Sequence, residues 1–281
     1  MKDFKITVVG LGVIGGAFAE GLKHLGATVY GVDINEGTLK FAKEKGIIDE
    51  GFLTGKEALL QSDIVIISLY PSLLKDFIIE NINHFKKNAI ITDVSGIKEG
   101  IISQIEGLLR EDLDFIYGHP MAGKEKQGIE YADLKVFQNA NYILIKSEKN
   151  KQKNLLLIEK IIKGLGFKNI NYLTAKEHDE TIAFTSQLTH ILAVALINSN
   201  DEKNDISNFI GDSFRDLTRI SKINADLWCE LFLGNKENLI DKIENFQDEL
   251  SKLKILLESE NSNLLKREFI KSTKRREKLD K

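Results

Sequence analysis

In the stretch YGHPMAG, Tyr117 to Gly123, a histidine stands directly before one of only two prolines in the chain, where an apolar run stops. Pro120 fixes its own φ and biases His119 toward extended backbone, so a stiff segment aims the imidazole. Neutral imidazole, with an ordinary pKa of ~6.5, can take the proton of an alcohol as hydride leaves the same carbon. General-base catalysis of this kind is worth roughly 10²–10⁴ in rate. A His-Pro pair at a strand end also serves as a plain structural turn, so its company decides. SFRDLTRI brings Arg215, Asp216 and Arg219 together. Arginine's planar fork can grip a carboxylate bidentately, with Asp216 holding one guanidinium in place, although a surface charge cluster reads the same way. His190 lies on the small-residue face of an apolar helical pattern, and His178 with Asp179 lies near that helix's start. His24 and His84 fall in polar parts of early crossover helices and carry no assigned chemistry.

VVGLGVIGGAFAEGL spaces Gly10, Gly12 and Gly15 as G-x-G-x-x-G, after a strand pattern and at the opening of a helical one. Each glycine answers a geometric need: a tight turn, close backbone approach to a pyrophosphate, and close helix packing. Val13 and Ile14 complete the loop, and the helix N-terminus faces the diphosphate. Asp33 ends the second strand pattern, where a carboxylate accepts from the free 2′-hydroxyl of a ribose and repels a 2′-phosphate. Ile34 follows it rather than an arginine, so NAD is favoured over NADP. Ser95, in TDVSGIKEG, can bring its hydroxyl near both nicotinamide and substrate, or can cap a helix starting near Ile97. No metal site is expected.

The elements that must position these groups alternate in the first half: KITVVG, ATVYGVD, DIVIISL, NAIITDV, DFIYGHP, NYILI and KNINYLT are strand-like, with helical patterns between them. Such alternation predicts an α/β fold with a doubly wound Rossmann sheet, and places His119 at the carboxyl end of a parallel strand. After Thr174 the strand signals stop, so residues 1–174 are expected to form the NAD-binding domain and 175–281 an all-helical domain, to which the family resemblance given below assigns substrate binding and dimerisation. In Lys176–Ser199 the apolar residues Phe184, Leu188, Ile191, Leu192, Ala195 and Leu196 share one helical face, and little charge stands opposite, which predicts a buried helix. Leu239, Ile243, Phe246, Leu250, Leu253 and Leu257 repeat at spacings of four and three, a seam for lengthwise packing on a helix of this chain or of a second subunit. The basic tail KREFIKSTKRREKLDK reads as a solvated, frayed terminus. A net charge of −3 provides no field to hold nucleic acid. The single cysteine, Cys229, reads as a packing residue. The N-terminus lacks the pattern of a signal peptide, and no apolar stretch is read as long enough to cross a bilayer, so a cytoplasmic location is expected.

Taken together, VVGLGVIGG, GVD, TDVSGIK, GHPMAGKEKQG, HDETIAFTSQLTH and FRDLTRI followed by tryptophan resemble the prephenate dehydrogenases, in that family's order and over nearly the whole chain. The resemblance implies oxidative decarboxylation of prephenate to 4-hydroxyphenylpyruvate with NAD, on the route to tyrosine. It implies that His119 is the base, that Ser95 orients the substrate, and that His190 and Arg219 bind carboxylates, with Glu125 and Trp228 at the pocket mouth. It also implies a homodimer formed by the C-terminal helices. The family often has serine-histidine where Ser186-Gln187 stand, glycines near Asp212-Ser213, and aspartate-proline where Asn224-Ala225 stand. Arogenate dehydrogenase is the nearest alternative, and a non-catalytic NAD sensor is the alternative from another class. A β-hydroxyacid dehydrogenase would need asparagine four residues after Lys176, where Glu180 stands.

Overall fold

The computed structural model describes residues 1–201 and 206–279. Its contacts divide the chain into two compact units, 1–235 and 236–281. The first opens with strands β1 (Lys5–Val9), β2 (Thr28–Val32), β3 (Glu50–Phe52), β4 (Ile64–Ile67), β5 (Ile90–Asp93) and β6 (Asp114–Ile116). They form one parallel sheet in the order β3-β2-β1-β4-β5-β6. The order reverses direction between β1 and β4, and such a switch point opens a ligand crevice at the carboxyl ends of the strands.

Helices α1 (Val13–His24), α2 (Glu36–Glu44), α3 (Gly55–Gln61), α4 (Pro71–Asn81), α5 (Glu99–Ile105) and α6 (Gln152–Gly164) cover the sheet. Alternation within β1 divides the core between the two faces. Ile6 and Val8 pack with Phe18 and Leu22 of α1 and Ile158 and Ile161 of α6. Val9 packs with Leu59 of α3, Leu74 of α4 and Ile105 of α5. The expected doubly wound Rossmann sheet is present. β3 carries no strand-like apolar run in the sequence, because at this sheet edge Glu50 is exposed and Gly51 and Phe52 are only half-buried.

The stretch DFIYGHP is not one strand. The chain leaves the large sheet after Ile116, and β7 (Gly118–Pro120) joins a second sheet with β8 (Asn141–Ile145) and β9 (Asn169–Leu173). β7 runs antiparallel to β8, with His119 opposite Ile143, and β8 runs parallel to β9. His119 therefore lies within a strand of the small sheet, not at the carboxyl end of a parallel strand. Gly118 permits the crossing, because a Cβ there would stand 2.5 Å from the Tyr142 hydroxyl.

From Ala175 the first unit is helical: α7 (Ala175–Ile182), one π-type turn (Ala183–Gln187), α8 (Leu188–Asn198), α9 (Asp212–Thr218) and α10 (Ala225–Leu233). Thr174 caps α7 in a reciprocal box with Glu177, which marks the start of the helical part. The expected burial of Lys176–Ser199 is not found. Phe184 is 60% exposed and Leu196 40%, while Ala183, Gln187, Leu188 and Ala193 are buried. The π turn widens the helix by about one residue and rotates α8 relative to α7, so a single 3.6-residue period across both mis-phases the faces. The helical run Ala175–Asn198, 24 residues that contain an 18-residue window of mean hydropathy 1.3, is also long and apolar enough by length and composition to cross a membrane, which corrects the expectation that no such stretch exists. A core helix of a soluble protein passes the same test. Cys229 is exposed rather than packed.

In the second unit α11 (Lys236–Glu258) and α12 (Ser262–Glu277) form a helical hairpin with a Lys252–Glu268 ion pair of 2.8 Å. Along the seam of α11, Phe246, Leu250 and Leu257 are exposed in the single chain. The basic tail is helix through Glu277 rather than frayed, and its last two positions, 280 and 281, lie outside the described residues.

Candidate active site

At the carboxyl end of β1 the chain turns through Gly10, whose φ of 82° excludes most side chains and whose added Cβ would meet the Ser68 carbonyl oxygen at 2.4 Å. A Cβ on Gly15 would stand 1.8 Å from the Gly10 oxygen, so α1 can approach β1 this closely only with glycine there. A Cβ on Gly12 would meet nothing within 4 Å. Gly12 caps α1, and Val13 and Ile14 begin it, with no acidic residue in the first turn to compete with an anion. Asp33 follows β2 and accepts from Leu11 N at 2.9 Å and Asn35 N at 2.9 Å, one bond per carboxylate oxygen. Each oxygen keeps a lone pair for a ribose hydroxyl. The cradle has the open space, the helix terminus and the carboxylate that a dinucleotide requires.

Around the crossing to the small sheet lies a buried polar cluster. Asp93 ends β5 and accepts from Lys98 Nζ at 2.6 Å, Ser95 N at 3.0 Å and Gly118 N at 3.2 Å. Neither Asp93 nor Lys98 has accessible side-chain surface. Burial lowers the Lys98 pKa, and Asp93 and Asp179 oppose that shift. Asp179 of α7 accepts from Lys98 N at 2.9 Å and Glu99 N at 2.8 Å, closing the start of α5. His178 Nδ1 is 2.7 Å from Asp179 Oδ1, and His178 Nε2 is 2.9 Å from His119 Nδ1.

Among the described residues His119 Nε2 has no hydrogen-bond partner, yet it is not among the buried polar atoms left unpaired, so it keeps accessible surface. Burial, with His178 and Lys98 nearby, holds the His119 pKa well below the ordinary histidine value. Its imidazole is therefore neutral near pH ~7. Gly96 leaves room beside it, since a Cβ there would reach His119 Cε1 at 3.7 Å.

The other expected site residues take varied places. Ser95 is buried and makes no hydrogen bond to His119 among the described contacts; its Oγ lies 3.5 Å from Ile97 N. It does not cap α5, which begins at Glu99 without a side-chain cap from its own N-terminus. His190 Nδ1 donates to the Ser186 carbonyl at 2.9 Å, and its ring stacks on Trp228 at 3.7 Å. Burial lowers the His190 pKa, partly offset by that carbonyl. Arg219 pairs with Glu125, which draws the loop after β7 to the end of α9. Arg215 pairs with Asp212 at 3.1 Å rather than with Asp216. On a helix, residues three apart are neighbours and adjacent residues diverge. Lys176 is exposed and paired with Glu180 at 4.0 Å. Sequence reading gave no role to Asp93, Lys98, His178 or Asp179; the only local signal was the His178-Asp179 pair at the start of an apolar helix.

A nucleotide cradle at the switch point of a parallel sheet, with an accessible neutral histidine in the same compact unit, defines an oxidoreductase of the Rossmann dehydrogenase class. Residues 18–171 match the model of the prephenate dehydrogenase nucleotide-binding domain, and residues 174–271 match that of the prephenate dehydrogenase dimerization domain. The chain belongs to the prephenate dehydrogenase family. It is 32% identical over 285 residues to a prephenate dehydrogenase of Lactococcus lactis, covering 98% of this chain and 77% of that one. The crystal structure of A. aeolicus prephenate dehydrogenase in complex with hydroxyphenyl propionate and NAD+ superposes with a TM-score of 0.90 at 29% identity, covering 99% of both chains. Synechocystis arogenate dehydrogenase gives 0.82 at 28% identity, covering 98% of this chain and 99% of that one.

Proposed function

We propose that the chain is a cytoplasmic, homodimeric enzyme that converts prephenate to 4-hydroxyphenylpyruvate by NAD-dependent oxidative decarboxylation. The observation that carries this reading is the accessible, unbonded Nε2 of His119, in a chain whose two halves match the two domains of prephenate dehydrogenase. Residues 1–174 hold the dinucleotide, and 175–281 supply substrate contacts and the dimer contact. The exposed apolar residues Leu196 and Ile197 of α8 and Phe246 and Leu250 of α11 are candidates for cover by a second subunit through the C-terminal helices.

Gly10, Gly12, Val13, Ile14 and Gly15 would receive the pyrophosphate, and Asp33 the adenosine ribose. The chemistry a bound NAD supplies is acceptance of hydride from the ring carbon bearing the hydroxyl, while loss of the ring carboxylate as CO₂ leaves its bonding pair to aromatise the ring. His119 Nε2 would accept the hydroxyl proton and return it to the phenolate oxygen once CO₂ has left, so the product is the phenol. Ser95 would orient that hydroxyl, near where the nicotinamide binds. Arg219 and His190 hold carboxylates, and Glu125 and Trp228 border the entrance. Binding energy at the carboxylates is used for positioning.

The direct test incubates purified protein with NAD and either prephenate or arogenate and follows NADH absorbance. NADH formation with prephenate is expected. Turnover of arogenate alone would transfer the assignment to that substrate, and no NADH from either would overturn the reading. Arg219→Ala should raise KM for prephenate by about 10–100-fold with a smaller change in kcat, the size of one charge-assisted hydrogen-bonded contact. An unchanged KM would remove Arg219 from the carboxylate site. Asp33→Ala should narrow the ratio of kcat/KM for NAD over NADP by about tenfold or more, as the repulsion of a 2′-phosphate disappears. A constant ratio would refute the ribose contact.

A further inference from the structure

We propose that His178 and Asp179 act as a positioning pair that locks His119 in the tautomer whose Nε2 is bare. The inference rests on the reading of His119 as the base and extends it to residues that never touch the substrate.

Asp179 accepts three hydrogen bonds: from Lys98 N, from Glu99 N and from the His178 ring. A carboxylate only accepts, so the proton between Asp179 Oδ1 and His178 Nδ1 sits on the histidine. Neutral His178 then has a bare Nε2, and the atom 2.9 Å away, His119 Nδ1, must be the donor. Neutral His119 with its proton on Nδ1 has an unprotonated Nε2. That nitrogen is the accessible one.

The pair is itself rigid. His178 has no accessible side-chain surface, and Asp179 has 2%. Two backbone N–H groups at the start of α5 fix the carboxylate, and the Asp179 carbonyl accepts from Asn235 Nδ2 at 2.8 Å. When His119 takes a proton, its Nδ1–H still points to His178, and the Asp179 carboxylate faces the new charge through one imidazole. Lys98 and Asp93 are the other charged groups around the two rings.

The tautomer can be read without turnover. Nitrogen-15 NMR of the histidine rings in the full chain should show His119 protonated at Nδ1 and bare at Nε2, with loss of the signal in His119→Asn giving the assignment. A His119 protonated at Nε2 in the wild-type protein would overturn the proposal. Asp179→Asn can present an amide N–H to His178 Nδ1, which reverses both tautomers. It should lower kcat about 100-fold or more while KM changes by no more than about threefold. His178→Gln keeps an acceptor for His119 and a donor for Asp179, so it should hold kcat within about tenfold of wild type, whereas His178→Phe should fall with Asp179→Asn. Wild-type kcat in both Asp179→Asn and His178→Phe, alongside an inactive His119→Asn, would reject the pair and keep the base. An active His119→Asn would reject the base, and the ring spectra would still decide the tautomer. If Asp179→Asn does not fold, the wild-type spectrum and the two His178 variants remain decisive.

Discussion

His119→Asn is expected to lower kcat by about 10²–10⁴-fold while leaving NAD and prephenate binding near wild type. The effect follows from what the side chain does and does not hold. Its Nδ1 is committed to His178 at 2.9 Å, and only Nε2 remains to receive a proton. Asparagine can keep the internal contact through its amide N–H but offers no nitrogen base. Nothing in the nucleotide cradle depends on residue 119, since Gly10, Gly15 and Asp33 are fixed by their own backbone contacts. The loss should therefore appear in kcat and kcat/KM together, the pattern of an interaction made in the transition state. Steady-state rates with NAD and prephenate, with binding of each followed separately, check the split. A variant with wild-type kcat would remove His119 from the chemistry.

The parts of this molecule that were legible in the sequence are those whose geometry is local. The glycine turn declares itself because its G-x-G-x-x-G spacing is local in sequence: Gly10 takes a φ of 82°, a Cβ on Gly15 would strike the Gly10 oxygen, and Gly12 leaves open space. Asp33 follows from strand length alone. His119 was legible because Pro120 stiffens it, but its sheet was not. An apolar run such as DFIYGHP carries no mark of the point where the chain leaves one sheet for another. That switch depends on Gly118 passing over Tyr142, a contact set by tertiary packing.

The long-range polar cluster was illegible for a similar reason. His119 and His178 are 59 residues apart, and Lys98 and Asp179 are 81 apart. No periodicity links such positions. The partner of Arg215 is Asp212, one helical turn back on α9, a pairing the adjacent Asp216 does not signal. The faces of α7 and α8 were mis-phased by the π turn at Ala183–Gln187, a single insertion that no 3.6-residue template contains. Gln187, standing where the family often has histidine, is buried there and bonds Leu231 O and Asn235 Nδ2. The departure is therefore accommodated by internal packing of the helical part.

The largest stability effect should come from Lys98→Met. Lys98 Nζ and Asp93 Oδ2 are 2.6 Å apart with no accessible surface on either side chain. Methionine fills much of the lysine's volume but leaves the carboxylate without its cation. Removing one partner of a buried ion pair costs about 3–5 kcal/mol. Two N–H donors, Ser95 N and Gly118 N, still serve Asp93 and hold the expected loss near the lower end, about 3 kcal/mol. Chemical denaturation should show it as a lower midpoint with unchanged slope. Adding Asp93→Asn removes the stranded charge while keeping one acceptor, so the double variant should be more stable than Lys98→Met alone, a coupling that a double-mutant cycle measures. The same substitution has a kinetic signature with a fixed sign. Lys98 lowers the pKa of both His119 and His178. Its loss, which leaves Asp93 negative, must raise the His119 pKa, so the acidic limb of kcat/KM should move to higher pH. A limb that stays in place would mean that the buried lysine does not act on the base, and a denaturation midpoint equal to wild type would mean that the pair contributes nothing to the fold.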